Sequence, residues 1–248
     1  VTDPRFQGLV AVVTGGLSGI GAATADRLRE LGATVVVLDR TADPSDPGAL
    51  AVDIADADAV TTAVDEIAAT HGRIDILVNS AGVGAAGTVT QNDVTEWRRV
   101  LDINVIGTAN VIRACLPQLI ASPAGSVVNV ASAVATTGFP NRVLYTASKG
   151  AVLSMTRAMA ADHLADGIRF NAVCPGTTET AWIGRLLDSA EDPAAARTAL
   201  ETRQPHGRLV TADEVAEAIA YLAGPRSGST NGTTVSVDGG IDSLYVSR

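Results

Sequence analysis

Along this chain, short apolar runs alternate with helix-like segments, and no other feature limits the fold as much. The runs fall at residues 9–14, 34–38, 49–52, 75–78, 126–131, 168–173 and 233–237. Between them lie helical patterns at 19–31, 55–71, 93–119, 143–164 and 211–222, the last opened by a Thr211 cap with Glu214 three residues on. Strands that are apolar throughout must be buried on both faces, which calls for a parallel sheet with helices above and below. Right-handed crossovers then make it doubly wound. The expected fold is α/β, a seven-stranded parallel sheet in one domain spanning 1–248. The segment 177–204 has no expected strand and is rich in Ala and charge, so it is expected to form a helical lid over a site.

Composition fits this picture. With 3 Phe, 2 Trp and 3 Tyr in 248 residues, the core must be built from Val, Leu, Ile and Ala. The 18 Lys and Arg against 27 Asp and Glu give a net charge of −9, which speaks against nucleic acid or an anionic membrane as a general partner. Cys115 and Cys174 lack metal-ligand spacing and read as reduced core residues, consistent with a cytoplasmic protein. No leader pattern is expected at residues 1–7, and no uninterrupted apolar stretch reaches the roughly 18 residues of a membrane span.

Chemistry enters with the turn after the first strand, Thr14-Gly-Gly-Leu-Ser-Gly-Ile-Gly21. Its glycines allow close backbone approach, and the helix that follows offers unpaired N–H groups to a pyrophosphate. Asp39 ends the second strand, where a carboxylate accepts from ribose hydroxyls and repels a 2′-phosphate. That pattern favours NAD over NADP, although Arg40 is adjacent. Tyr145 and Lys149 are spaced i, i+4 and share one helix face. A phenol with a pKa of about 10 is a poor base, and an ammonium beside it stabilises the phenolate. Ser132 follows the fifth strand, at the sheet edge where such folds bind ligands.

Taken together, TGGLSGIG at 14–21, Asp39, Asp53, NSAG at 79–82, Asn104, Ser132, YTASK at 145–149, PGTTET at 175–180 and VDGG at 237–240 resemble the short-chain dehydrogenase/reductase family. The likeness covers essentially the whole chain; Ser80 replaces the more usual second Asn of the NSAG motif. It implies a Rossmann fold, an NAD cofactor, a small-molecule substrate and a homotetramer in which the helices at 93–119 and 143–164 pack across subunits. Residue by residue, it implies that Tyr145 is the general acid/base, that Lys149 lowers its pKa and binds ribose, and that Ser132 holds the substrate oxygen. Asn104 would kink its helix and hold a water in a proton relay. The cofactor would be met by Gly15, Leu17, Ser18 and Ile20 in the turn, by Asp39 and Arg40, and by Asp53 and Ile54 at adenine. Asn79, Ala81 and Gly82 would line the ribose, and Pro175, Thr178 and Thr180 the carboxamide.

Three arginines bear on the substrate: Arg142, three residues before Tyr145, and Arg185 and Arg203 in the expected lid. A guanidinium fork binds carboxylate in bidentate fashion. The stretches NRVLY at 141–145 and ARTALETRQPHGRL at 196–209 are similar to the branch that holds type-2 3-hydroxybutyrate and sugar-acid dehydrogenases. That likeness implies a hydroxy acid or sugar acid as substrate; Trp182 and Ile183 depart from the branch, which is more polar there, and Trp182 either walls the pocket or packs the lid down. Two rival expectations stand beside this one: a ketone or 3-oxoacyl thioester reductase, and a catalytically idle NAD-binding sensor.

Overall fold

A computed structural model describes residues 5–188 and 190–245. The strands of the main sheet are β1 (Val10–Thr14), β2 (Thr34–Asp39), β3 (Ala49–Ala51), β4 (Ile76–Asn79), β5 (Ser126–Val130), β6 (Arg169–Pro175) and β9 (Thr234–Val237). They lie in the order β3-β2-β1-β4-β5-β6-β9, every neighbouring pair parallel. The order reverses between β1 and β4, which opens a crevice at the carboxyl ends of those strands.

Alternation along each strand sends successive side chains to opposite faces. Ala11, Val13, Val35, Val37 and Val128 pack against α1 (Gly19–Glu30) and α8 (Ala212–Ala223), through Leu28, Val215 and Ile219. Val10, Val12, Val36, Leu38 and Leu77 face the other way, onto α2 (Ala57–His71) and α4 (Thr108–Ala121), through Val64, Ile67, Cys115 and Leu119. Helix α5 (Val143–Asp162) lies on the same side and brings Val152 and Leu153 against Ala172 and Cys174. Both cysteines are free and buried, as their spacing predicts. The capping box is present, with Thr211 and Glu214 each bonded to the other's backbone.

The structure departs from the sequence expectation in three places. The long helix expected at 93–119 is α3 (Val94–Leu101) continued through a π-helical turn at Asp102–Gly107 into α4, and it runs past Pro117 to Ala121. By length and composition, Val94–Ala121 is apolar enough to cross a membrane, which corrects the reading that no segment is. Here its Val111, Ile112, Cys115 and Leu119 are buried in the core against the sheet. The segment 177–204 does hold a strand: β7 (Thr178–Glu179) pairs in parallel with β8 (Val210–Thr211), and the helices α6 (Ala181–Asp188) and α7 (Pro193–Thr202) lie between them.

At the amino end of the sheet, opposite the crevice, Asp75 is fully buried. Its carboxylate accepts from Val10 N at 2.8 Å, from Arg73 Nε at 2.8 Å and Nη2 at 2.6 Å, and from the Ser122 hydroxyl. Desolvation raises the carboxyl's pKa, but the donors from Arg73, Ser122 and Val10 outweigh it and hold the pKa below the usual value. The folded state therefore binds this proton more weakly than the unfolded chain. The stability so gained is present above the unfolded pKa and is lost as pH falls through the folded one. Asp75→Asn keeps the shape but removes the charge and one acceptor. It is expected to cost about 1–3 kcal/mol at neutral pH and to flatten the acid limb of stability against pH. Urea titrations of both proteins between about pH 2 and 6 check this; parallel acid limbs would refute the assignment.

Candidate active site

The turn after β1 is built for close approach. Gly15 adopts φ +66°, and a Cβ there would lie 2.9 Å from Ala81 Cα, so the phosphate turn and the loop after β4 touch backbone to backbone. The Thr14 hydroxyl ties the same loop, accepting from Ser80 N and Ala81 N at 3.1 Å each. Asp39 at the end of β2 is held by Thr41, whose N–H and hydroxyl donate to Oδ1 at 3.0 and 2.8 Å. Leu17 N points at the other carboxylate oxygen from 3.4 Å. Asp53 follows β3 and accepts from Ala55 N at 3.0 Å.

From Asp39 and Asp53 a cavity of about 740 Å³ runs over the glycine turn to Tyr145 and ends under α6 and α7. Tyr145 and Lys149 both project from the first turns of α5, as their i, i+4 spacing requires. Ahead of them, Asn141 sits in the left-handed region at φ +58° and accepts from Gly87 N at 2.9 Å. This fixes where α5 starts relative to the loop after β4.

Lys149 is buried, and its Nζ donates to Val130 O at 2.8 Å and stands 6.0 Å from the Tyr145 ring centre. Desolvation lowers its pKa to about 8. Burial pushes the Tyr145 phenol up, opposed by its hydrogen bond with Ser132 and by the charge of Arg142. Cys174 lies behind this group, and burial raises its pKa to about 11.

Asn104 occupies the π-helical turn. Its Oδ1 accepts from Val83 N at 2.8 Å, and its Nδ2 donates to Val83 O at 2.9 Å and to Ser148 Oγ at 3.0 Å. Ser148 in turn donates to Tyr145 O at 2.8 Å. The wider turn lets one side chain grip the loop after β4 and the helix carrying Tyr145 at once.

At the lid end, Arg142 Nη1 donates to Ala85 O at 3.0 Å, and the Arg203 guanidinium lies 5.5 Å from the Phe139 ring centre. Burial, and after it the charge of Arg142, lowers the pKa of Arg203. Neither arginine has a carboxylate partner among the described residues. Arg185, from α6, also lines the cavity.

Comparison with known proteins agrees with this geometry. A family model described as enoyl-(acyl carrier protein) reductase matches residues 15–242. The chain is 40% identical to cis-4-hydroxycyclohexanecarboxylate dehydrogenase of Sinomonas cyclohexanicum, over 96% of this chain and 98% of that one. It is 35% identical to 2-keto-3-deoxy-L-fuconate dehydrogenase of Xanthomonas campestris, over 96% and 81%. The chain belongs to the short-chain dehydrogenase/reductase family. Solved structures similar to this family member include ligand-free aldohexose dehydrogenase of Thermoplasma acidophilum, with TM-score 0.91, 29% identity and full coverage of both chains. Another is ElxO with NADP bound, with TM-score 0.88, 27% identity and coverage of 95% of this chain and 99% of that one. The protein is therefore an oxidoreductase of alcohol and ketone substrates, in a family that binds a nicotinamide cofactor.

Most residues singled out from the sequence line this dehydrogenase/reductase's cavity: Gly15, Ser18, Ile20, Asp39, Arg40, Asp53, Ile54, Ala81, Gly82, Ser132, Arg142, Tyr145, Lys149, Pro175, Thr178, Thr180, Trp182, Arg185 and Arg203. Three do not. Leu17 is exposed on the turn, pointing to solvent. Asn79 is buried behind the wall, donating to Asn129 Oδ1 at 2.8 Å with its own Oδ1 unpartnered. Asn104 stands one layer back, acting through Val83 and Ser148. The cavity also takes in Arg99, Phe139, Leu200 and Ile241, which no motif marks.

Burying Lys149 costs stability. Below a pH of about 8 the folded state holds an ammonium out of water, and the penalty fades as pH rises toward the unfolded value of 10.5. Lys149→Met is therefore expected to be more stable than wild type near pH 7, by about 1–2 kcal/mol after the loss of the Val130 hydrogen bond. That margin should shrink at pH 10. Thermal melts of both proteins at the two pH values test it; a less stable variant with a pH-independent gap would refute the assignment.

Proposed function

We propose that this chain is an NAD-dependent dehydrogenase that interconverts a secondary alcohol and a ketone on a hydroxy acid. The observation that carries the reading is one cavity with Asp39 at one end, Ser132, Tyr145 and Lys149 in the middle, and the unpaired cations Arg142 and Arg203 at the other. The residues present fit a nicotinamide dinucleotide. Gly15, Ser18, Gly19 and Ile20 line the cavity at the start of α1, where helix N–H groups can meet a pyrophosphate, and the Asp39 carboxylate is set to accept from ribose hydroxyls and to repel a 2′-phosphate. Asp53 and Ile54 would face adenine, and Pro175, Thr178 and Thr180 the carboxamide. The bound nicotinamide supplies the hydride acceptor or donor.

In the oxidation, Tyr145 Oη takes the proton of the substrate hydroxyl, and Ser132 Oγ donates to the same substrate oxygen. Lys149 contributes a fixed positive charge behind the phenol and a donor toward ribose. Burial keeps Tyr145 protonated in the free site, which readies it as the acid for ketone reduction and makes its ionisation the pH-sensitive step for alcohol oxidation. Arg142 and Arg203 hold the substrate carboxylate. The relatives named for a hydroxycyclohexanecarboxylate and a keto-deoxy-fuconate, both acids, support that choice. In the same reading the chain assembles as a homotetramer in the cytoplasm, burying Val94, Ile106 and Val143, which are exposed on the long helices of this subunit.

Tyr145→Phe is expected to lower NAD-linked turnover of hydroxy acids about 10²–10⁴-fold while NAD still binds. In wild type, oxidation should keep rising with pH up to about 10 and reduction should stay level below that, because burial holds the phenol above its ordinary value. Steady-state kinetics and NAD titration of the folded variant measure both. Normal turnover in Tyr145→Phe, or faster turnover with NADP than with NAD, would overturn the corresponding part of the proposal.

A further inference from the structure

The substrate end of the cavity is asymmetric in its hydrogen-bonding chemistry. Every acidic side chain on the cavity wall lies at the cofactor end, as Asp39 and Asp53, and among the described residues no Glu, Asn, Gln or His lines it at all. Around Arg142 and Arg203 the wall is Val83, Gly84, Phe139, Trp182, Leu186 and Leu200. A Cβ on Gly84 would lie 3.0 Å from the Trp182 ring, so hydrocarbon lines this end while Trp182 itself stays half-exposed. Arginine donates and cannot accept. Of the three threonines at the lid's base, Thr178 donates to Gly176 O at 3.2 Å and Thr180 accepts from Ile183 N at 3.5 Å, so hydroxyl acceptors on this wall are few. Two backbone carbonyls near the site, Val130 O and Ala85 O, already accept from Lys149 and Arg142.

We infer that the substrate is a hydroxy acid whose carbon skeleton between the reacting carbon and the carboxylate is bare hydrocarbon, and that polyhydroxylated acids are rejected. This deepens the proposed function and rests on it. A carboxylate has four lone-pair positions for the Arg142 and Arg203 forks, and the Phe139 ring lies within cation–π reach of Arg203. The single reacting hydroxyl is met by Ser132 and Tyr145. Each further hydroxyl would need an acceptor for its proton, and this wall provides mostly hydrocarbon, so it would lose hydrogen bonds to water that few wall groups replace. The same wall removes hydrocarbon from water favourably. Trp182 and Phe139 are thus specificity-determining residues, and the acid–base residues are indifferent to the skeleton.

The test uses the intact protein with NAD and three kinds of probe: 3-hydroxybutyrate and hydroxycyclohexanecarboxylates, their methyl esters, and gluconate. The hydrocarbon acids should exceed gluconate in kcat/KM by about 100-fold or more, and should exceed their own esters. Trp182→Ala should raise KM for the hydrocarbon acids about tenfold with kcat little changed, and Trp182→Phe should restore most of the loss. Gluconate turned over within tenfold of the hydrocarbon acids would overturn this inference and leave the acid reading standing. Esters turned over as well as acids would overturn the carboxylate site and, with it, this inference. A protein that binds NAD and turns over none of the probes would overturn both.

Discussion

The site depends on one hydrogen bond, from the buried Lys149 ammonium to Val130 O at 2.8 Å. A cation cannot be left unpartnered in a wall of this kind, so its burial fixes the distance between α5 and the end of β5. Tyr145 is one turn earlier on α5, and Ser132 is two residues past β5. Their meeting follows from that single constraint. Asn104 supplies the second restraint: by gripping both backbone groups of Val83 and the Ser148 hydroxyl, it locks the loop after β4 to the same helix. The stability lost at Lys149 is the cost of a charge held where solvent cannot screen it.

Charge is sorted along the cavity. The carboxylates Asp39 and Asp53 stand at one end with Arg40 beside them, the Lys149 ammonium stands in the middle, and Arg142, Arg185 and Arg203 stand toward the lid. The chain as a whole carries −9, so an anionic substrate meets a repulsive field at long range. That field fades over a Debye length of about 8 Å at physiological salt. Inside the cavity only the nearest charges count, and those are Arg142, Arg203 and Arg185. In the proposed reading, selection of an acid arises from contact within the pocket rather than from long-range steering.

Much of this was legible in the sequence because parallel strands are buried on both faces and so read as continuous apolar runs: the seven expected strands are those of the sheet. The glycine turn, Asp39, Ser132, Tyr145 and Lys149 were legible because each acts from a local pattern, a turn, a strand end or a helix repeat. Asn79 and Asn104 were placed in the right neighbourhood and one layer too far forward. Sequence does not say whether an amide near a site faces the ligand or braces the residue that does. The π-helical turn at Asp102–Gly107 leaves no periodic signature over six residues, and β7 is too short to show one. Phe139, Leu200 and Ile241 reach the cavity from three distant segments, so only the fold brings them together.

The lid has its own small core, in which Ile183, Leu187 and Leu200 pack with Leu209 apart from the clusters that hold the sheet. Its link to the scaffold is narrow: the two-residue pairing of β7 with β8, Trp182 on Gly84, and Thr180 against the glycine turn. Substitutions on the cavity face of α6 and α7 therefore change what the pocket accepts without disturbing the packing that positions Lys149. In the proposed reading, substrate choice is shared between the separately packed lid, through Trp182 and Arg203, and the segment leading into α5, through Phe139 and Arg142. Relatives named for unlike substrates match this chain over nearly its whole length, and the proposed selection of the carbon skeleton rests on the wall around Trp182 and Phe139.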